Sequence, residues 1–365
     1  SYQFAVGITA YCQLPTAHSI FHFSLLNCQL ITFFIMPKLI DSYNRTIDYM
    51  RISITDRCNL RCVYCMPSDG IPLMNPDNIL RYEELIRIIK ICVSHGITKV
   101  RLTGGEPLVR KGIIKFVQSI ASIKGIDDLS LTTNGVLLKG YALELKDAGL
   151  NRVNVSLDSL KKERFKKITR SDDLENVLQG LEESEKIGLS PVKINVVAIK
   201  GFNDDEILDF ALMTKEKPYH IRFIEYMPFD VEAGWQKEKC ITAMEIKDII
   251  EKHQRLIPLE NSKNRTGPAR IYKFLDGIGE IGFISPVSDH FCGSCNRLRL
   301  TADGKLRTCL FSDDEIDVKK ALREGASDKE VEDLLFNAVR KKPERHYIND
   351  NIFKKCSRTM SLIGG

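Results

Sequence analysis

From Asp48 onward, short runs rich in β-branched and aliphatic residues alternate with stretches whose apolar residues recur at helical spacing. The runs predict strands and the stretches between them predict amphipathic helices. Predicted helices include Tyr82–Ser94, Gly140–Ala148, Leu174–Ile187 and Asp205–Lys215. The six predicted strands are Met50–Thr55, Lys99–Thr103, Leu129–Thr133, Arg152–Leu157, Val192–Ala198 and His220–Tyr226.

Six β/α units in series predict a parallel sheet with right-handed crossovers. We expect an α/β fold whose sheet curls into a partial (β/α)6 barrel similar to a TIM barrel. A flat doubly wound sheet is the alternative.

Polar and glycine-containing clusters follow five of the predicted strands. Active sites of β/α barrels lie at the C-terminal ends of the strands, so these clusters are expected to converge on one mouth. The clusters are Thr55–Cys58, Thr103–Glu106, Thr132–Gly135, Ser156–Asp158 and Glu225–Met227.

The alternation stops after Trp235, where a helix (Thr242–His253) leads into β-like stretches at Ala269–Leu275 and Glu280–Ile284. Two charged helical stretches follow, Asp314–Leu322 and Asp328–Lys341. We therefore predict an N-terminal extension over residues 1–40, a barrel over residues 41–234 and a smaller C-terminal domain over residues 235–365.

Charge and hydropathy narrow the class of protein. The net charge of +5 is too small to indicate a nucleic-acid-binding protein. The first 37 residues carry no Lys, Arg, Asp or Glu, and the apolar segment Ser19–Met36 is interrupted by polar residues. We expect neither a secretory signal nor a membrane span there. We interpret Met36 as the natural start, residues 1–35 as upstream sequence or a nonconserved extension, and the protein as cytoplasmic.

Six of the eleven cysteines form two close groups of three, which is typical of metal ligation in a reducing compartment. The first group, Cys58, Cys62 and Cys65, lies in the loop after the first strand. Three thiolates do not complete a structural zinc site, but they can hold three irons of a [4Fe–4S] cluster and leave the fourth iron open. A zinc site completed by a distant residue is the alternative.

The second group consists of Cys292, Cys295 and Cys309. It predicts a second [4Fe–4S] cluster, or a zinc site completed by His290. Arg297 and Arg299 alternate with leucines, so both are predicted to point to one face of a short strand. Two guanidinium groups directed to one place suit an oxygen-rich or purine ligand.

Three further cations, Arg51, Arg101 and Lys193, lie inside predicted strands between apolar neighbours. A half-buried cation is unfavourable unless it is paired or faces a ligand. The chain has no Gly-x-x-x-x-Gly-Lys-Ser/Thr loop, which excludes a P-loop nucleotide site. Ion pairs with Asp or Glu are the alternative explanation.

Several motifs carry a resemblance to a known family. The first cysteine group, with Tyr64 before its last cysteine, resembles the signature of radical S-adenosylmethionine enzymes. The Gly104–Pro107 turn resembles that family's motif for holding S-adenosylmethionine. In the second group, Asn-Arg-Leu-Arg-Leu follows Cys295. This motif is similar to that of one subfamily, the GTP 3′,8-cyclases of molybdenum cofactor biosynthesis.

This resemblance runs from about Asp41 to the C-terminus. It includes the final Gly364-Gly365, which matches a glycine tail that reaches into the pocket in the subfamily. One departure is Asn44-Arg45, where the subfamily usually has Gly-Arg.

The resemblance implies two [4Fe–4S] clusters and S-adenosylmethionine as cofactors, GTP as substrate, and a cluster-binding C-terminal domain. The metal ligands would be Cys58, Cys62, Cys65, Cys292, Cys295 and Cys309. The contacts to S-adenosylmethionine would be Tyr64, Gly105, Ser156 and Met227. The contacts to GTP would be Arg51, Arg101, Thr132, Lys193, Arg297 and Arg299, with Arg297 and Arg299 also catalytic.

The implied reaction is that of a lyase. It removes a hydrogen atom from C3′ of GTP and joins C3′ to C8 of the same guanine. Reduction by one electron and protonation then give (8S)-3′,8-cyclo-7,8-dihydroguanosine 5′-triphosphate. The implied partners are an electron donor such as flavodoxin or ferredoxin and the pyranopterin-forming enzyme of the pathway, and a homodimer is compatible with the sequence. A radical enzyme that modifies a peptide and a zinc-bearing binding module are the rival functions.

Overall fold

The computed structural model describes residues 37–229, 236–259, 267–348 and 356–364. Contacts within the chain define a unit over Met36–Gly365. The interpretation of residues 1–35 as upstream sequence or a nonconserved extension concerns residues outside the described ranges.

Six parallel strands follow one another along the chain and lie side by side in the same order in the sheet. Each step from strand to strand moves in one direction, as in a β/α barrel, whereas a doubly wound sheet reverses direction at a switch point. The prediction of a partial barrel is therefore confirmed. The strands are β1 (Tyr49–Ser53), β2 (Lys99–Thr103), β3 (Asp128–Thr133), β4 (Arg152–Ser156), β5 (Lys193–Ala198) and β6 (His220–Glu225).

The helices between these strands cover the outer face of the sheet with their apolar sides. In the first of them, Leu85, Ile88 and Ile89 are fully buried at the spacing of one helical face. Along β1, Met50 and Ile52 are fully buried while Tyr49 and Arg51 face the interior of the barrel. The helices are α1 (Tyr82–Ser94), α2 (Ile113–Ala121), α3 (Leu138–Asp147), α4 (Lys162–Thr169), α5 (Leu174–Lys186) and α6 (Ile207–Glu216).

Residues after Trp235 add strands to both edges of the same sheet. On one side β9 (Glu280–Ile284) pairs in parallel with β6, and β8 (Arg270–Phe274) and β7 (Leu256–Pro258) follow antiparallel. On the other side β10 (Arg297–Leu300) pairs in parallel with β1. The parallel part of the sheet is therefore longer than the six predicted units, and the division at residue 235 stays a prediction.

The remaining elements complete the C-terminal part. Antiparallel strands β11 (Lys305–Arg307) and β12 (Ile316–Asp317) follow β10 at its edge. The helices are α7 (Ala243–Glu251), α8 (Val318–Arg323), α9 (Asp328–Arg340) and α10 (Met360–Ile363).

The predicted helix Asp314–Leu322 begins later than expected, because its first residues pair with β11 as β12. Asp317 then caps α8 by accepting a hydrogen bond from the Lys320 amide.

No helix in the described part of the chain is long and apolar enough to cross a membrane.

Candidate active site

A row of arginines crosses three neighbouring strands inside the barrel. Arg51 of β1 lies in register with Arg299 of β10 on one side and with Arg101 of β2 on the other. Side chains at paired positions of neighbouring strands point to the same face, so these like charges lie next to each other. Such a row is unfavourable unless an anion lies between the guanidinium groups.

The row lines a cavity of about 290 Å³ enclosed by the strands. Of the predicted site residues, the following line this cavity: Arg51, Tyr64, Arg101, Thr132, Ser156, Lys193, Met227, Cys292, Cys295, Arg297, Arg299 and Cys309. Four other predicted residues, Cys58, Cys62, Cys65 and Gly105, lie outside the lining. Twelve of the sixteen predicted site residues therefore lie on one wall, which is built from many separate segments.

Four cations of the cavity form no ion pair with a carboxylate among the described residues, namely Arg51, Arg101, Lys193 and Arg222, whereas Lys99 is paired with Asp48. Arg101 donates from Nε to the hydroxyl of Ser130 at 3.3 Å, and Asp128 forms its ion pair with Arg152. Three buried atoms, Nε of Arg51, Nε of Arg222 and the Thr132 hydroxyl, have no hydrogen-bond partner within the described residues. Buried polar atoms of this kind normally have partners, so they indicate a polar ligand.

Burial, together with the crowding of positive charge, lowers the pKa values of several of these groups. Burial, and next the charges of Arg222, Arg152 and Arg101, lower the pKa of Lys193 to about 6. Burial is also the main cause that lowers the pKa of Arg101 to about 9 and of Arg222 to about 10. An anion in the cavity would reverse these effects, because an opposite charge favours the protonated forms.

The first cysteine group lies in the loop that leaves the C-terminal end of β1. All three thiols are half-buried, and the amide of Leu60 donates to the sulfur of Cys58 at 3.4 Å. Burial, followed by the charge of Cys58, raises the pKa of the Cys65 thiol to about 11. These thiols therefore become ligands only when a bound metal displaces their protons, which are released to solvent.

The loop packs tightly on the glycine turn after β2. A Cβ atom at Gly105 would lie 2.4 Å from the carbonyl oxygen of Arg57, so only glycine fits at this position. The carboxylate of Glu106 is fully buried and accepts hydrogen bonds from the Thr133 hydroxyl and from the amides of Leu108 and Asn134. Glu106 therefore joins the ends of β2 and β3.

Tyr64 connects the cysteine loop to the ends of β4 and β5. Its hydroxyl donates to one carboxylate oxygen of Asp158, while the other oxygen accepts from the Val197 amide at 2.8 Å. Ser156 lies at the C-terminal end of β4, and Met227 lies just beyond β6. The residues predicted to contact S-adenosylmethionine are thus gathered at the C-terminal ends of the strands.

The second cysteine group lies at the opposite end of the strands. β10 runs parallel to β1 and begins beside Tyr49, so Cys295, two residues earlier, lies at the N-terminal end of the sheet. β11 runs antiparallel to β10 and ends at Arg307, which brings Cys309 to the same end. The two cysteine groups therefore lie toward opposite ends of the barrel strands.

Positive charge surrounds the second group. Burial alone would raise the pKa of the Cys295 thiol, but the charges of Arg297 and Lys342 lower it to about 6. The guanidinium of Arg297 also lies over the ring of Phe291, 4.8 Å from its centroid. A low pKa suits a cysteine that binds metal as a thiolate.

Among the described residues, no three Cys, His, Asp or Glu side chains converge on one point as a single ion requires. His290, the predicted fourth zinc ligand, packs edge-on against His346 with ring centroids 5.3 Å apart. A [4Fe–4S] cluster is larger, so its three thiolates need not meet at one point.

The C-terminal tail reaches the arginine row. Phe229, Cys356 and Ile363 form a small buried apolar cluster, and Met360 lines the cavity. The carbonyl oxygen of Gly364 accepts a hydrogen bond from Arg299 at 3.2 Å. The expected approach of the glycine tail to the pocket is thus present in the structure.

Sequence reasoning missed several residues of this site. Tyr49 and Arg222 line the cavity, and both alternate with buried apolar residues in their strands, as Arg51 and Arg101 do. The same alternation could have identified them. Lys342 follows helix α9 in a charged segment, and its sequence gives no signal of its burial.

Family comparisons agree with this geometry. The model of the radical SAM superfamily matches residues 52–213, and the model described as Molybdenum Cofactor Synthesis C matches residues 219–348. Among solved structures, Streptococcus suis SuiB bound to S-adenosylmethionine is similar with a TM-score of 0.58 and 15% identity. That match covers 82% of this chain and 69% of the SuiB chain, and it supports the fold alone.

Close relatives cover nearly the whole chain. The GTP 3′,8-cyclase of Thermodesulfovibrio yellowstonii is 53% identical over 327 residues, which is 89% of this chain and 99% of the relative. The GTP 3′,8-cyclase of Alkaliphilus metalliredigens is 49% identical over 325 residues, with the same coverage. That of Syntrophomonas wolfei is 49% identical over 327 residues, which is 90% of this chain and 100% of the relative.

A partial β/α barrel with a three-cysteine loop after its first strand defines the class, that of the radical S-adenosylmethionine enzymes. At about half identity over almost the full length of these relatives, the chain belongs to the GTP 3′,8-cyclase family.

Proposed function

We propose that this chain cyclises GTP to (8S)-3′,8-cyclo-7,8-dihydroguanosine 5′-triphosphate, the first step of molybdenum cofactor biosynthesis. The cofactors are two [4Fe–4S] clusters and S-adenosylmethionine. The observation that carries the proposal is the in-register row of Arg299, Arg51 and Arg101 in a cavity between two cysteine groups. The negative charge of a nucleotide triphosphate suits the row of cations. The length of the nucleotide suits a cavity that has a cysteine group toward each end.

The triphosphate is bound by the cations of the barrel interior. Arg51, Arg101 and Lys193 donate to phosphate oxygens, and Thr132 supplies a hydroxyl from β3. This assignment is supported by the buried Nε of Arg51 and the Thr132 hydroxyl, which have no partner in the described residues. Side-chain cations thus replace the backbone cradle of a P-loop.

The guanine end lies toward the second cysteine group. Arg297 and Arg299 contact it and, as the predicted catalytic residues, stabilise the aminyl-type intermediate when it is reduced after ring closure. The proposal is supported by the parallel register of β10 and β1, which brings both arginines beside Tyr49 and Arg51. The fixed strand geometry would hold C8 and C3′ close together, which is how orientation accelerates an intramolecular step.

S-adenosylmethionine is bound at the C-terminal ends of the strands, near Cys58, Cys62 and Cys65. Tyr64, Gly105, Ser156 and Met227 contact it there. When bound, the cluster and S-adenosylmethionine together supply the hydrogen-abstracting species, and the protein's part is to orient it toward C3′. The Tyr64–Asp158 hydrogen bond supports this role, because it fixes the cysteine loop to the ends of β4 and β5.

The test measures whether the hydrogen removed from C3′ of GTP is transferred to 5′-deoxyadenosine. Reconstituted protein is supplied with GTP deuterated at C3′, S-adenosylmethionine and a chemical reductant, and deuterium in 5′-deoxyadenosine is measured by mass spectrometry. Transfer of the label is expected, and it should fall at least tenfold in Arg51→Leu and Arg101→Leu, since each lost charge-assisted contact is worth about 1.5–3 kcal/mol. Arg87→Leu, an arginine paired with Asp328 on the outer surface, is the control.

The rival functions predict other results. Absence of label in 5′-deoxyadenosine would overturn the proposed abstraction. A modified peptide as product would favour a peptide-modifying enzyme. Zinc in place of iron at both cysteine groups would favour a binding module.

The pathway partners belong to the same proposal. A reduced flavodoxin or ferredoxin supplies electrons, and the pyranopterin-forming enzyme consumes the cyclic product. Replacement of the chemical reductant by each reduced protein in the same assay tests the electron donor.

A further inference from the structure

Lys342 is a buried cation beside the second cysteine group. Only 4% of the residue is exposed, and it follows helix α9 at the start of a segment without regular structure. Its ammonium donates to the sulfur of Cys295 at 3.5 Å, to the carbonyl oxygen of Arg297 at 3.1 Å and to that of Thr308 at 2.5 Å. It thus connects the segments that carry Cys295 and Cys309.

The charge of Lys342 is not balanced by a carboxylate. Within the described ranges of the chain, no Asp or Glu forms an ion pair with it, and its two backbone acceptors carry no net charge. Burial of an ammonium group is strongly unfavourable without an opposite charge. The negative charge next to it can come from the thiolates of Cys295 and Cys309 and from what they bind.

Arg45 provides an internal comparison. Its guanidinium also reaches this region, donating to the carbonyl oxygens of Cys292 and Glu344 at 2.7 and 2.8 Å. Its charge is balanced, however, by an ion pair with Asp41 at 2.6 Å. Arg45 therefore holds the segment in place without adding net charge, whereas Lys342 adds a full positive charge at a ligand sulfur.

We propose that Lys342 raises the reduction potential of the [4Fe–4S] cluster on Cys292, Cys295 and Cys309 by placing a hydrogen-bonding cation against the Cys295 sulfur. Net charge and hydrogen bonds to the ligand sulfurs are known determinants of cluster potential. Reduction adds one negative charge to the cluster, so a fixed positive charge nearby favours the reduced form. The inference rests on the proposed function, because that proposal includes the second cluster.

The test compares cluster potentials in the reconstituted full chain. Lys342→Met and Lys342→Gln both remove the charge, and Lys342→Gln keeps a hydrogen-bond donor. Lys342→Arg keeps the charge, and Lys341→Met changes the exposed neighbour. Iron and sulfide per chain are measured first, and midpoint potentials are then determined by redox titration monitored by electron paramagnetic resonance. The first cluster is recognised by its spectral response to added S-adenosylmethionine.

Removal of the charge should lower the midpoint potential of the second cluster. At the wild-type midpoint, the ratio of reduced to oxidised cluster is expected to fall about tenfold in Lys342→Met and Lys342→Gln, which is about 59 mV for one electron. Lys342→Arg and Lys341→Met should stay close to the wild type. A residue that only supports the fold would not separate the charge-removing variants from Lys342→Arg in this way.

Each other outcome contradicts the proposal. An unchanged potential in Lys342→Met with about eight irons retained would overturn it. Loss of about four irons in both charge-removing variants would mean that Lys342 is needed to assemble the site, and the electrostatic role would be rejected. A wild-type chain with only about four irons would overturn the second cluster of the proposed function, and this inference with it.

Discussion

The carbonyl oxygen of Gly364 accepts a hydrogen bond from the guanidinium of Arg299, which brings the C-terminal tail into the cation row of the barrel. Gly364 adopts a left-handed backbone conformation with φ of 81°. A Cβ atom there would lie 2.5 Å from the Thr103 hydroxyl oxygen and 2.7 Å from Cβ of Ser53. The tail can therefore occupy this position only with glycine.

We expect Gly364→Ala to displace the tail and to lower turnover at least tenfold, because Arg299 loses a fixed partner. Iron content should change little, since the added methyl group would meet Thr103 and Ser53 and not a cysteine. The measurement is product formation per reconstituted chain, with Gly140→Ala as control because nothing lies within 4 Å of its added methyl group. Normal turnover in Gly364→Ala would show that the tail does not order the site.

Gly105→Ala should disrupt the first cysteine loop. The added methyl group would lie 2.4 Å from the Arg57 carbonyl oxygen and 2.8 Å from that of Asp56, and backbone atoms cannot move away cheaply. We expect loss of about four of eight irons and of S-adenosylmethionine binding. Iron analysis and equilibrium dialysis measure the two effects. Retention of both would mean that the turn after β2 can shift without cost to the loop.

GTP binding should take up a proton through Lys193. The pKa of Lys193 is about 6 without ligand, and a bound triphosphate raises it. Its contribution to affinity is therefore complete below about pH 6 and declines as the pH rises through the pKa of the bound state. Calorimetry at pH 8 in two buffers of different ionisation enthalpy should detect uptake of roughly one proton per GTP.

Lys193→Met is expected to abolish that uptake and to weaken GTP binding about ten- to hundredfold. Equal proton uptake by the variant would assign the effect to another group.

The same lysine should destabilise the ligand-free protein. An unfolded chain holds a proton on this side chain up to about pH 10, while the folded chain releases it above about pH 6. Stability should therefore rise with pH over this range in the wild type and rise less in Lys193→Met. The midpoint of urea unfolding, followed for both proteins at pH 7 and pH 9, measures the difference. Parallel pH profiles would contradict the low pKa.

Asn44 has a backbone conformation that accounts for the glycine expected at this position from the family resemblance. Its φ is 61°, in the left-handed region that glycine adopts freely and asparagine tolerates better than other residues. Asn44→Gly should change the free energy of unfolding little, whereas Asn44→Val should lower it by about 1–2 kcal/mol. Urea unfolding of the metal-free protein tests both. Similar stability of the two variants would show that the turn adapts to a side chain.

Local sequence patterns predicted the structural features that are determined within a single segment of the chain. The alternation of Arg297 and Arg299 with leucines predicted strand β10 and its shared face, and the run of β/α units predicted the barrel order. Pairing between distant segments was not predictable. No pattern in β1 indicates that Arg51 lies beside Arg299, and no pattern around residue 342 indicates a lysine against the sulfur of Cys295.

The start of helix α8 illustrates the same limit. Its charged composition favoured a helix from Asp314, but pairing of Ile316 and Asp317 with β11 took precedence over local propensity. The roles of Glu106 and Asp158 as links between strand ends likewise depend on partners far away in the sequence.

The pairing of β1 with β10 has a consequence for the synthesis of the protein. β1 is among the first described segments to leave the ribosome, and its outer partner is made only when most of the chain is complete. Until then one side of β1 is an open strand edge, which can pair with other chains. A chain that stops before residue 297 would keep this open edge and lack one arginine of the row. Premature termination should therefore yield insoluble protein, not a weakened enzyme.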